Sequence, residues 1–196
     1  MPNWCDNALA VTGTKWELDR FEEYVESDSQ CFAFESILPM PDDLHKTTSP
    51  AHIVSAEEYD SIDPKEWAEM CNPENPFKSK PITQEVSDRY KELYGANNWY
   101  DWCWDNWGTK WETDDPKVDK YYVENGQKFD LLAYEFTTAW SPPIAIVTEL
   151  AKQFPTLELT LDWSEEGGLA GNIRAKSGTI YEDKAWEVQV GELRNV

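Results

Sequence analysis

Positive charge is what this chain has least of. Its 196 residues hold 17 lysines and arginines against 38 aspartates and glutamates, a net charge of -21. A surface of that sign repels phosphate, which argues against direct binding to nucleic acid or to an anionic membrane. Histidine is scarcer still: His45 and His52 both fall in a proline-broken stretch, so general-base chemistry would rest on carboxylates or thiols. The four cysteines (Cys5, Cys31, Cys71, Cys103) include no C-x-x-C pair, the usual signature of structural zinc, and no metal or cofactor is expected. No run approaches the roughly 20 apolar residues of a membrane span. Residues 1–7 have neither the basic nor the apolar region of a signal peptide, so a cytoplasmic chain with reduced thiols is expected. There is no G-x-S-x-G, P-loop, G-x-G-x-x-G or H-E-x-x-H motif either.

Tryptophan, by contrast, is abundant. Of eleven, five fall between Trp99 and Trp111. Indole rings bury large apolar areas, so they argue for a packed core where the charge alone would suggest a solvated polymer. On helical spacing Tyr100, Trp104, Trp107 and Trp111 share a face. With Trp4 and Trp140 these tryptophans are expected to form a structural aromatic cluster. Asp101 and Asp105 inside the run argue against a base-stacking platform, which needs a cationic surround.

Periodicity organises the rest. Asn7 to Thr12 alternates as a half-buried strand, and Thr14-Lys15-Trp16-Glu17 reads as a capping box. The helix that follows turns Leu18, Phe21 and Val25, with Tyr24, inward. Cys31 to Leu38 alternates through Phe32 and Phe34 and reads as a second strand. From Asp42 to Lys128 prolines interrupt short helical stretches; Glu85–Tyr94, closed by Gly95, and Trp99–Trp107, closed by Gly108, are the best helices there. Leu132, Tyr134, Phe136, Thr138 and Trp140 then share one face of a long strand. Ser141 at the N-cap and Pro142 at the first turn open a helix with Ile144, Val147, Leu150, Ala151 and Phe154 inside. Leu157 to Trp163 is a strand of period two, and residues 169–176 and 179–190 complete a meander.

The order predicts one domain of 1–196: a first β-α-β half over 1–41, a helical and loop insertion over 42–129, and a second half with a terminal hairpin over 130–196. This is an α+β, ferredoxin-like split β-α-β pattern, an antiparallel sheet with two helices on one face.

Three motifs and a fourth stretch occur in fixed order. These are Met1-Pro2-Asn3-Trp4-Cys5-Asp6-Asn7, Ile37-Leu38-Pro39-Met40-Pro41, Asn106-Trp107-Gly108-Thr109-Lys110-Trp111, and Phe136-Thr137-Thr138-Ala139-Trp140-Ser141-Pro142-Pro143. In them the chain resembles the Api92-like (YubB-type) family of bacteriophages and conjugative plasmids. The resemblance implies a ferredoxin-like domain and a mobile-element origin. It carries no catalytic residues with it.

The acid excess is 6, 9 and 6 over residues 1–40, 41–129 and 130–196, so the charge belongs to the folded body. Its most regular expression is Asp19, Glu22, Glu23 and Glu26, whose i, i+3, i+4, i+7 spacing makes a carboxylate ladder about 10 Å long on one helix face. The expected function is therefore that of a non-enzymatic accessory protein in a host bacterial cell. It would bind a basic, nucleic-acid-binding surface of a host protein, with an anti-restriction or anti-CRISPR nucleic-acid mimic as the fitting form. Two alternatives stand beside it: a small carboxylate and metal enzyme using Asp114-Asp115 or Glu165-Glu166, and a structural or regulatory protein whose acidity serves solubility.

Overall fold

The computed structural model describes residues 3–72, 78–121 and 130–188. In chain order the elements are β1 (Trp4–Gly13), α1 (Lys15–Val25), α2 (Phe34–Ile37), β2 (Ile53–Val54), α3 (Ala56–Asp60), α4 (Pro64–Cys71), β3 (Ile82–Thr83), α5 (Gln84–Tyr94), α6 (Trp99–Asn106), β4 (Asp114–Tyr121), β5 (Asp130–Ala139), α7 (Ile144–Gln153), β6 (Glu158–Glu165), β7 (Leu169–Lys176) and β8 (Thr179–Glu187). They divide into two compact units, one of Met1–Pro39 with Asn106–Val196 and one of Met40–Asp105.

The first unit is built on a six-stranded antiparallel sheet of order β4-β5-β1-β6-β7-β8. Its first four strands are the ferredoxin-like arrangement. β1-α1-β4 and β5-α7-β6 are split β-α-β units, each leaving room for a strand of the other. β7 and β8 extend the sheet as a hairpin. Burial follows the alternation of apolar residues: Leu9 and Val11 of β1, Leu132, Tyr134 and Phe136 of β5, and Leu159, Leu161 and Trp163 of β6 all lie within. α1 and α7 cover that face, the first with Leu18, Phe21 and Val25, the second with Ile146, Val147, Leu150 and Ala151.

Three expectations change here. Residues 31–38 do not form a strand: Phe34–Ile37 is a single helical turn, and Phe32, Ala33 and Phe34 are buried in succession instead of alternating. The Glu112 carboxylate stabilises that turn by accepting from the N–H groups of Phe34 (2.7 Å), Glu35 (2.9 Å) and Thr113 (2.8 Å). The strand partnering β5 is β4, which lies inside the stretch read as insertion. At α7, the N-cap position belongs to Pro143 and not Ser141, whose hydroxyl donates to the carbonyl of Gly108 (2.6 Å).

The second unit holds α3 to α6 around the short parallel pair β2-β3. Its helices start where side chains cap them: Ser55, Asp63 and Thr83 accept from the N–H groups of Glu58, Lys65 and Val86. α5 stops at Gly95, whose φ of 80° is the left-handed conformation glycine adopts without strain. Leu44, Val54, Ile82, Tyr90, Trp102 and Cys103 are buried.

Candidate functional site

The sheet face away from α1 and α7 is exposed, and strand register fixes what it presents. One row across it reads Asp114, Thr137, Asp6, Ser164, Ala170, Trp186. The next reads Lys117, Glu135, Ala8, Asp162, Asn172, Lys184. The small side chains in the middle leave a concavity of about 490 Å³. Its lining contributes the carboxylates of Asp6, Asp115, Glu135 and Asp162 against the single ammonium of Lys117, which pairs with Asp115 at 2.9 Å. Trp186, 47% exposed, supplies an indole wall. Asn172 donates to Asp162 (2.6 Å), orienting that carboxylate. Beneath the floor, Trp163 lies where a side chain of Gly171 would be: a Cβ there would sit 2.5 Å from two indole atoms.

At one end of this sheet the three sequence motifs meet. Buried Asn7 donates its amide to Thr138 Oγ1 (2.9 Å) and to the Cys5 carbonyl (2.9 Å). Thr138 donates on to the Ser141 carbonyl (2.8 Å), and Thr109 to the Ala139 carbonyl (2.7 Å). Gly108, with φ 77°, lets the 106–111 segment pass close to the start of α7. The network holds Trp140 at φ 80°, a strained conformation for a bulky residue, with its N–H donating to the Asn3 carbonyl (2.9 Å) and its side chain exposed.

Two of these motifs, at 106–111 and 136–143, lie within a stretch similar to a known family. Residues 106–195 match the family model for the ferredoxin-like domain in Api92-like protein. Over those residues the chain is similar to that domain. The match begins at Asn106, where the chain re-enters the first unit. The crystal structure of a protein api92 from Yersinia pseudotuberculosis shares the fold, with a TM-score of 0.50 and 11% identity over 96% of this chain and 99% of that one. No curated protein matches.

The residues singled out in the sequence are dispersed. The α1 ladder is partly neutralised: Asp19 pairs with Lys15 at 2.8 Å, and Glu22 with Lys120 of β4 at 2.5 Å. Glu23 and Glu26 are exposed. The tryptophans do not form one buried cluster. Trp107 is 3% exposed, donates from Nε1 to the Leu38 carbonyl (2.9 Å) and packs on Phe34 at 5.8 Å. Trp4 and Trp111 pair at 6.5 Å, with Trp111 at the surface. Trp104, in the second unit, is exposed and stacks on Tyr100 at 6.3 Å, while α6 buries Trp102 and Cys103 instead. The shared face fails because α6 ends at Asn106. All four cysteines are free thiols. Among the described residues no three His, Cys, Asp or Glu side chains gather as metal ligands, and no helix is long and apolar enough to cross a membrane. The residues that sequence reasoning passed over are Asp6, Glu135, Asp162 and Trp186. Their signal was the alternation itself, which puts Asp6, Ala8 and Ala10 opposite Leu9 and Val11.

Proposed function

We propose that this chain acts by binding and not by catalysis, its open sheet face receiving a cation-rich surface of a host protein. The observation that carries the reading is the concavity rimmed by Asp6, Glu135 and Asp162 with Trp186 at its side. Carboxylates spaced across neighbouring strands suit guanidinium or ammonium groups, and an indole face adds attraction for a cation. The field of a -21 body speeds encounter with a basic partner and disfavours acidic ones. A basic surface of that kind ordinarily meets phosphate, so nucleic-acid mimicry directed at a host defence protein, by a chain of phage or plasmid origin acting in the cytoplasm, is the finer form of the proposal. Within it the open face is a better contact than the α1 ladder, half of which is already paired to Lys15 and Lys120.

Competition tests it. Wild-type protein, an Asp6→Lys/Glu135→Lys/Asp162→Lys variant and an Asp19→Lys/Glu22→Lys/Glu23→Lys/Glu26→Lys variant are used to capture host proteins at low and high salt. Captured nucleic-acid-binding proteins are then challenged with DNA and RNA. The expected result is a partner held by wild type and by the ladder variant, released by salt and by nucleic acid, and not held by the face variant. Equal capture by all three at every salt concentration sinks the proposal.

A further inference from the structure

Packing does not explain Trp140. Its ring is 51% exposed, yet its backbone is held at φ 80°, where a bulky side chain is strained. The neighbours that hold it are buried: Thr138 and Thr109 donate to the Ser141 and Ala139 carbonyls, and Ala139 itself is enclosed. The Trp140 N–H, donating to the Asn3 carbonyl, ties it to the start of β1. A strained backbone on a buried scaffold, with the ring left in solvent, suits a contact prepared in advance. Little freedom is left for a partner to remove.

Strand register places its surroundings. Trp4 pairs with Ala139, the residue before Trp140, and by alternation shares the open face with Asp6, about 7 Å further along β1. Trp111 packs on Trp4 at 6.5 Å. The Glu166 N–H donates to the Trp4 carbonyl (3.2 Å), and the Glu166 carboxylate accepts from the Trp4 N–H (3.2 Å). An aromatic end thus continues the acidic face, with Asp6 and Asp114 in the next row and Glu166 at its side. Indoles of this chain already take cations. The Arg20 guanidinium lies 4.9 Å over the Trp16 ring, and the Lys110 ammonium 4.3 Å over that of Trp111. With one face of Trp111 covered in this way and Trp4 braced against it, Trp140 is the indole of the three presented to a partner.

Arginine fits such an end better than lysine. A guanidinium is planar and weakly hydrated, so it stacks flat on an indole while its in-plane N–H groups still reach carboxylates; an ammonium is a strongly hydrated point charge. We infer that the Trp140 end of the open face is an arginine-selective subsite. One guanidinium of a partner segment stacks on Trp140, and neighbouring arginines of the same segment meet the carboxylates of the adjoining rows. The inference rests on the basic-partner reading above and narrows it, since charge alone would not tell an arginine-bearing surface from a lysine-bearing one.

The experiment uses the full chain with hexaarginine and hexalysine, peptides of equal charge, and reads affinity by fluorescence anisotropy at low salt. Wild type is expected to bind hexaarginine about three- to fivefold more tightly than hexalysine, the size of one exposed cation–π contact. Trp140→Gly removes the ring and suits φ 80°, so it should melt at or above the wild-type temperature. In it hexaarginine should fall to the hexalysine level while hexalysine is unchanged. Trp16→Ala, which removes an exposed indole elsewhere, should leave the preference intact. Equal affinity of wild type for the two peptides overturns the inference, as does a preference that survives Trp140→Gly. The Asp6→Lys/Glu135→Lys/Asp162→Lys variant separates the two readings. Equal binding of both peptides by wild type, lost in that variant, overturns the arginine subsite and leaves the basic-partner reading standing. A preference lost in Trp140→Gly but kept in that variant supports the subsite and counts against the centre of the sheet face. Binding of neither peptide by wild type overturns both.

Discussion

Cys5 is wholly buried, and burial pushes its thiol from about 9 up to about 12, with Glu165 nearby acting in the same direction. The neutral thiol is thus favoured in the folded state, and its contribution to stability is complete below pH 9. As pH rises from there the unfolded chain loses this proton while the folded chain keeps it, so the contribution shrinks until about pH 12. Native protein at pH 8 should therefore show Cys5 unlabelled by iodoacetamide in peptide mass spectra, with full labelling in denaturant. Rapid native labelling would mean the β1 end opens. Trp107 makes a second test at this scale. Its ring is enclosed and its N–H serves the Leu38 carbonyl, so Trp107→Ala should cost about 3–5 kcal/mol in denaturant unfolding. An unchanged midpoint would move that ring out of the core. At Gly171, alanine would drive a methyl into the Trp163 indole and the Lys184 carbonyl, and a loss of about 1–3 kcal/mol is expected on the same measurement.

Elements with one strongly periodic face are legible in the sequence alone. α1, α5, β5 and β6 each carry their own pattern, and local physics is enough to place them. The turn at α2 was not, because its N–H groups are satisfied by Glu112, 77 and 78 residues away, and no local signal announces such a partner. β4 was missed for the opposite reason. As an edge strand it has charges on both faces, Asp115 at φ 46° and Pro116 at a shift in register, features that blunt an edge and erase alternation. Without β4 in place, the open face could not be assembled from sequence, since its acids come from four separate strands. Glu112 offers the sharpest test of the α2 account. Burial raises its carboxyl above the usual range, against the pull of its three N–H donors. Glu112→Gln keeps one acceptor but sets an amide donor against a backbone donor, so a loss of about 1–3 kcal/mol is expected, and Glu112→Ala should be at least as damaging. Equal stability of both variants with wild type would show that the turn holds without its cap.

Over the whole molecule, charge acts on stability and on binding in opposite senses. Acid excess in every third of the chain means mutual repulsion among exposed carboxylates, which disfavours the compact state. Few of the ion pairs could offset it: Lys15–Asp19, Lys117–Asp115 and Lys152–Glu149 lie at the surface, where such pairs contribute little. Added salt shortens the screening length to about 8 Å at physiological ionic strength and about 3 Å at 1 M, removing more repulsion than attraction. The melting temperature should therefore rise between 10 mM and 500 mM sodium chloride, while affinity for a basic partner falls over the same interval. Lys substitutions at Asp6, Glu135 and Asp162 should raise the low-salt melting temperature even as they abolish partner binding, because each removes a repelling charge from an exposed surface. A melting temperature that falls with salt would show that ion pairs dominate the folded state. In that case the acidity would be part of the architecture and not a surface held ready for a partner.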